Sequence, residues 1–215
     1  MNILITSAGR RVELLKALRI DAQQLGIAVK IFAADLSSGL SAGCQVADAS
    51  YAVPKCTSDD YIPKLIEICT KEKISILIPT IDTELHVLAL AHEKFRKIGV
   101  HLVVSDSSAI KIARDKHLTA EALKKAGIPS PPTARLEDFV SGAAGLQFPL
   151  ILKRIDGSSS IGLHSANNEE ELRSLKLDAR RYVAQQKLEG PEYTVNCFVD
   201  QHGKLCAVVP HQRIE

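Results

Sequence analysis

Aromatic residues are scarce in this chain of 215 residues: 4 Tyr, 5 Phe and no Trp make up 4% of it. A stacking platform for single-stranded nucleic acid needs such rings, so that class is set aside. A dominant charge of one sign is also missing. The 27 Lys and Arg stand against 25 Asp and Glu, interspersed, for a formal net charge of +2. Such a balance offers neither a duplex-binding face nor a basic membrane patch. No apolar run is long enough to span a bilayer. The opening Met1-Asn2-Ile3-Leu4-Ile5-Thr6 lacks the basic region and long apolar stretch of a secretion signal. The five cysteines, Cys44, Cys56, Cys69, Cys197 and Cys206, form no CxxC pair. In mostly apolar surroundings they read as reduced core residues of a cytoplasmic protein. With the seven histidines they supply no zinc-ligand spacing. His86, His92 and His117 have no catalytic partner visible in sequence and read as surface or packing residues.

What is present is a composition of 46% hydrophobic and 24% charged residues, ordinary for a globular chain that can bury a real core. The first half alternates short apolar runs with amphipathic segments. Strands are expected at 2–6, 29–34, 74–79 and 100–104. A helix follows Ser7-Ala8-Gly9-Arg10-Arg11, with Val12, Leu15, Leu18, Ala22 and Leu25 on one face and Gly26 at its end. A second starts at Ser58 or Asp59 and reaches Cys69, with Pro63 awkwardly near its interior. A third runs from Asp82 to Lys97 with Leu85, Leu88, Ala91 and Phe95 inward. Strands alternating with helices imply a parallel, doubly wound sheet over 1–112.

The second half changes character. Asp106 and Asp115 each begin a helix, the latter stopping at Gly127-Ile128-Pro129. Pro129 to Pro132 is extended by proline geometry. A strand over 150–154 follows, then a Gly/Ser loop, a helix over 168–180 and a strand over 182–185. Asn168 and Glu171 stand at capping-box spacing in that helix. Residues 192–199 and 204–209 read as a hairpin turning at Asp200-Gln201-His202-Gly203. Mixed α+β structure thus follows an α/β unit.

The segment Phe148 to Gly162 carries the most chemistry. An apolar run ends in Lys153 and opens into Asp156-Gly157-Ser158-Ser159-Ser160-Ile161-Gly162. A strand end fixes a lysine's direction, and small residues let backbone N–H groups approach a polyphosphate. The lysine precedes the loop, so the P-loop order does not apply. Elsewhere, Ser7 to Arg11 joins a strand to a helix and Asp35 closes the second strand, which invites a dinucleotide reading. Only one glycine occupies that turn, against the three of the dinucleotide fingerprint. A structural turn, or an anion contact by Arg10, is the competing reading. Asp82 and Glu84 follow a buried strand at the sheet edge where ligands of such folds bind. They either face a substrate or, for Asp82, cap the helix.

Taken in order, Ala113-Arg114-Asp115-Lys116 with Ala126 to Pro129, Pro149 to Lys153, the 156–162 loop, and Leu188-Glu189-Gly190-Pro191-Glu192-Tyr193-Thr194-Val195 resemble the ATP-grasp superfamily. The resemblance is to its carbamoyl-phosphate-synthase-large-chain-like and carboxylate–amine ligase members. It implies a Rossmann-like pre-ATP-grasp domain over 1–112, a first ATP-grasp subdomain over 113–185, and the start of a second over 186–215. It implies ATP phosphate contacts by Lys116 and Lys153, covered by Gly157, Ser158, Ser159, Ser160 and Gly162. The adenine would lie beside the hinge Gln185, Gln186, Lys187 and Leu188, and Glu192 would take the ribose hydroxyls. The chemistry implied is activation of a small carboxylate as an acyl phosphate, attacked by an amine. Arg10, Asp82, Glu84 and Arg213 are substrate candidates.

Two departures stand out. Relatives carry Gln-Glu at the hinge where this chain has Gln185-Gln186. The acidic ligands for Mg²⁺ lie, by the resemblance, on strands later than any here, so no metal site is expected in this chain. It therefore reads as an amino-terminal portion, completed by a carboxyl-terminal half or acting in a homo-oligomer. The alternatives are a non-catalytic nucleotide-binding or subunit-interaction module, and a nicotinamide-dependent oxidoreductase built on 1–112.

Overall fold

A computed structural model describes residues 1–157, 161–200 and 202–214. The chain divides into two compact units, Met1–Thr119 and Ala120–Glu215. In the first, the elements run β1 Asn2–Thr6, α1 Val12–Gln24, β2 Lys30–Asp35, α2 Ala42–Gln45, β3 Ala49–Ala52, α3 Tyr61–Lys71 and β4 Ile76–Pro79. They continue as α4 Asp82–Leu90, α5 His92–Lys97, β5 His101–Leu102, α6 Ser107–Arg114 and α7 Lys116–Lys125, the last of which contains the division between units.

The five strands form one parallel sheet in the order β3-β2-β1-β4-β5. Continuous apolar runs suit strands covered on both faces. The pleat of β1 shows how both faces fill. Leu4 enters the core with Phe32, Leu65, Leu77, Leu88 and Phe95. Ile3 and Ile5 point the other way, into a cluster with Leu15, Ile31, Ala33 and Cys44.

Several expectations shift in this unit. Leu25 lies beyond α1 and is 73% exposed, so it does not join the inward face. Pro63 falls in the first turn of α3, where a missing N–H has no intrahelical partner to lose, and the conflict disappears. The helix expected over 82–97 breaks at Ala91, and its inward stripe is Glu84, Leu88, Ala91 and Phe95, with a carboxylate in place of Leu85. The short strand β3 escaped the sequence pattern because its inward residues are only Ala49 and Tyr51. The last strand is two residues, His101–Leu102.

The second unit contains β6 Thr133–Arg135, α8 Leu136–Val140, β7 Leu150–Arg154, β8 His164–Ala166, α9 Glu169–Ser174, β9 Tyr182–Gln186, β10 Tyr193–Val199 and β11 Leu205–Gln212. An antiparallel sheet has the order β6-β9-β7-β8. One face of it packs Leu150, Leu152 and Ala184 against Leu136 and Leu172. Helix α9 begins as expected, with Asn168 Oδ1 accepting from the Glu171 N–H at 2.9 Å, but it ends at Ser174. Beyond it the chain turns, with Lys176 at φ 49° and a single 3-10 turn over Ala179–Arg181, while Leu175, Leu177 and Ala179 pack on the core.

The hairpin β10–β11 is a separate two-stranded sheet, exposed along its whole length. Tyr193, Val195 and Val199 share one face with Val208 and Leu205, and all are about half exposed or more. The cysteine expectation therefore divides. Cys44 and Cys69 are buried and Cys56 is intermediate, whereas Cys197 and Cys206 are exposed on this hairpin, whose faces have no covering element among the described residues. All five are free thiols, and burial pushes the Cys69 thiol up to about 12.

The turn after β1 is fixed by a close backbone approach. Gly43 donates its N–H to the Gly9 carbonyl at 2.8 Å. A Cβ at position 43 would stand 2.8 Å from the Ala8 oxygen and 3.0 Å from the Ala8 Cβ. Gly43→Ala must push two backbones apart, and we expect a loss of about 1–3 kcal/mol, read as a lower melting temperature. An unchanged melting temperature would show that the two backbones separate freely.

Candidate nucleotide site

In the first unit the strand order reverses at β1, with β2 and β3 on one side and β4 and β5 on the other. Open sheets of this kind present their ligand crevice at that point. Here the crevice is laced shut from within. Glu84 is completely buried, and its carboxylate accepts from the Tyr61 hydroxyl, from Ser7 Oγ at 3.1 Å, and from the N–H groups of Thr80 at 2.9 Å and Ile81 at 3.3 Å. Thr80 Oγ1 donates to the Ser7 carbonyl at 2.7 Å. Ser7 itself sits at φ 50°, a left-handed conformation that a serine adopts only when its surroundings hold it there.

These contacts correct the substrate assignment of Glu84 and the capping role of Asp82. Glu84 does not face a ligand: four donors converge on it out of reach of solvent. Asp82 does not cap α4, where the cap residue is Ile81; its exposed carboxylate pairs with Arg114 at 2.8 Å, a pair that a ligand could displace. Asp35, which a dinucleotide site would need for a ribose, accepts the Gly9 N–H at 2.7 Å and so closes the turn. Arg10 is exposed in that turn.

In the second unit, Lys153 is the last residue but one of β7, on the face opposite the Leu150–Leu152 core. Its ammonium donates to Gln185 Oε1 at 2.7 Å. The Gln185 amide donates in turn to Thr133 Oγ1 at 2.8 Å, and that hydroxyl donates to the Pro131 carbonyl at 2.8 Å. The relay crosses three adjacent strands. Thr133 and Ile151 are the register partners of Gln185, and Lys153 is two residues beyond Ile151, within diagonal reach. The tip of the lysine is thus held by a glutamine that the sequence placed at the hinge. Thr133, in a strand too short to be noticed, is the residue sequence reasoning missed.

The hinge is partly occupied by sheet bonds. Gln186 N–H donates to Pro132 at 2.9 Å and Lys187 N–H to Pro149 at 3.0 Å, whereas Leu188 lies past the strand with its side chain exposed. At the loop, Gly157 N–H turns back to the Arg154 carbonyl at 3.3 Å; Ser158, Ser159 and Ser160 lie outside the described residues. Gly162 is at φ 73°. Glu192 and Arg213, given separate roles above, meet in an ion pair of 2.9 Å across the open end of the hairpin. Both are substantially exposed, so the pair contributes about 1 kcal/mol or less and a ligand could displace it. Lys116 is the first residue of α7, whose next two N–H groups are held by the Asp115 carboxylate.

Comparison with known proteins decides the family. Residues 3–103 match the family model described as the PylC-like N-terminal domain, and residues 113–215 match the ATP-grasp domain. The chain carries an ATP-grasp domain over residues 113–215. It is 37% identical over 105 residues to the D-alanine–D-alanine ligase of Pseudomonas entomophila, an alignment covering 46% of this chain and 33% of that protein. It is 30% identical over 158 residues to the carbamoyl phosphate synthase large chain of Thermotoga petrophila, covering 70% of this chain and 13% of that one. Among solved structures, the biotin carboxylase domain dimer of the Hydrogenobacter thermophilus 2-oxoglutarate carboxylase, in complex with MgADP, ADP and bicarbonate, superposes with a TM-score of 0.72. The identity is 19%, and the match covers 97% of this chain and 48% of that one. The chain therefore spans a third or less of the curated relatives named here and about half of the solved one. The structural likeness establishes its fold as mixed α/β.

Among the groups of the lacing around Glu84, Tyr61 carries a titration. Burial, and then the Glu84 carboxylate, raises its phenol above the ordinary tyrosine value. A raised folded value means the stabilisation is fully present below the unfolded value near about 10 and is lost as pH climbs beyond it. Tyr61→Phe leaves the buried carboxylate one donor short and should cost about 1–3 kcal/mol at neutral pH, while losing less stability than the parent on going alkaline. Melting curves taken from neutral to alkaline pH check both parts; parallel alkaline declines would remove Tyr61 from the lacing.

Proposed function

We propose that this chain is the ATP-binding portion of a ligase that activates a carboxylate as an acyl phosphate for attack by an amine or similar nucleophile. The observation that carries the reading is the ammonium of Lys153, held by the Gln185 amide on the polar face of the β6-β9-β7-β8 sheet and followed by the glycine-bounded loop. A lysine so directed presents remaining donors to phosphate oxygens with little motion of its own. Leu188 N–H and the neighbouring carbonyls would take the adenine edge, and Glu192, released from Arg213, the ribose. Lys116 keeps the phosphate role that its motif implies. The relatives named above are a D-alanine–D-alanine ligase and a carbamoyl phosphate synthase, which supports a C–N ligase reading.

The rate in such chemistry comes from positioning and electrostatics, since no protein nucleophile is required. Magnesium would supply charge neutralisation at the phosphates, and the donors described here do not fit a site for it. No group of three or more His, Cys, Asp or Glu side chains converges among the described residues, and no step is assigned to the ion. The exposed apolar hairpin supports the further proposal that a carboxyl-terminal ATP-grasp half, in the same protein or a separate one, completes the sheet. A nucleotide-binding module dependent on a partner is favoured by that same hairpin. The nicotinamide reading loses its acidic residue to the Gly9 turn. No helix among the described residues is long and apolar enough to cross a membrane, and the place of action we propose is the cytoplasm.

Calorimetric titration tests the reading. The parent protein should bind ATP, and Lys153→Ala should lower the affinity about 10–100-fold, the worth of one charge-assisted contact, with an unchanged melting temperature. Equal affinity in variant and parent would remove Lys153 from the site.

A further inference from the structure

The relay that reaches Lys153 has a polarity, and the polarity is set at its far end. Thr133 Oγ1 and the Pro131 carbonyl stand 2.8 Å apart. A carbonyl only accepts, so the single hydroxyl proton of Thr133 is committed there and the lone pairs of Oγ1 are left for Gln185. The glutamine therefore turns its NH2 group to Thr133, at 2.8 Å, which leaves Oε1 for the lysine ammonium, at 2.7 Å. An ammonium only donates, so the two ends of the relay demand the same orientation of one amide. The far end is stiff. Pro131 precedes Pro132, and proline fixes its own φ while holding the residue before it extended. The Pro132 carbonyl is itself engaged by the Gln186 N–H at 2.9 Å. Thr133 stands directly opposite Gln185 in the β6–β9 pair, and Thr133, Gln185 and Lys153 are all half-buried, which shields these bonds in part from competing water.

We infer that Thr133 is a positioning residue for Lys153. It acts through the Gln185 amide: its hydroxyl selects which end of that amide meets the ammonium, and so holds the lysine tip in place. The acceptor on the ammonium is a neutral group, which fixes the tip without cancelling the charge that an anion needs. A carboxylate at the same place would hold the tip and compete with the anion for it. That the anion is a phosphate of ATP rests on the function proposed above; the orientation of the amide does not.

Three variants isolate the relay. Thr133→Val keeps the shape and removes the hydroxyl, Thr133→Ser keeps the hydroxyl, and Gln185→Met removes the amide. Without nucleotide, NMR reads the solvent exchange of the Gln185 side-chain amide protons, which should be at least about fivefold faster than in the parent for Thr133→Val and within about twofold of it for Thr133→Ser. Calorimetry then compares ATP with adenosine, which has no phosphates. Thr133→Val should bind ATP about fivefold more weakly with adenosine unchanged, Gln185→Met should lose at least as much ATP affinity, and Thr133→Ser should match the parent. On a Lys153→Ala background, Thr133→Val should bring no further loss, because it acts only through the lysine. An equal loss for ATP and adenosine, or a loss that persists without Lys153, would overturn the inference in favour of a role in the sheet alone. Unchanged amide exchange in Thr133→Val would overturn it outright. A parent protein that binds no ATP would sink the phosphate clause together with the function reading, and the amide exchange would still decide the relay.

Discussion

The pleat of a single strand end governs the second unit. Because β7 is extended through Arg154, its alternation delivers a cation to each face: Lys153 to the polar side and Arg154 to the side of the core. A shift of pairing by one residue would exchange them. The register is protected by Leu150 and Leu152, both fully buried between Leu136, Ala166 and Ala184, since a slip would drive two leucines into solvent. The hydrophobic effect thus fixes the direction of the lysine, and the Gln185–Thr133–Pro131 relay fixes only its tip.

That division explains what could be read from residues alone. Strands β1 and β7 stood out because continuous apolar runs are bounded by turn residues, and their limits agree with the structure to the residue. The hairpin turn was equally plain: the Asp200 carboxylate accepts from His202 and Lys204 N–H groups, and Gly203 takes φ 78°. Strands β3, β6 and β8 were not readable, being three or four residues long with Ala, Ser, Thr and Arg in place of a hydrophobic pattern. For the same reason Thr133 went unnoticed, though it supports the glutamine that holds Lys153. Such a residue is defined by its neighbour across the sheet, and pattern along the chain carries no trace of it.

The acidic residues of the first unit show the opposite failure, of signals that were present but misdirected. Asp35, Asp82 and Glu84 lie at or just beyond the carboxyl ends of β2 and β4, the right place for ligand contacts in a doubly wound sheet. Glu84 and Asp35 are committed inside the unit, to the Tyr61–Ser7–Thr80–Ile81 donors and to Gly9, whereas Asp82 stays exposed in its pair with Arg114. A carboxylate in a sequence carries the same signature whether it waits for a ligand or ties two loops together. Burial separates the cases, and a burial of zero exposure with four donors is the mark of a tie. The open groups that remain for binding in this unit are then few, Arg10 among them.

The hairpin poses the remaining physical problem. Two strands alone are marginal in water, because one ladder of hydrogen bonds leaves both faces solvated. Here one face carries Tyr193, Val195, Val199, Leu205 and Val208, and the other Phe198 and Val209, all about half exposed or more. The Glu192–Arg213 pair at its open end contributes little, being solvated on both sides. A carboxyl-terminal half of the kind proposed above would cover the Tyr193 face, and with it steady the ribose contact proposed for Glu192. Nucleotide affinity and hairpin burial should then rise together, because the residue that would hold the sugar stands at the root of the strands that need covering.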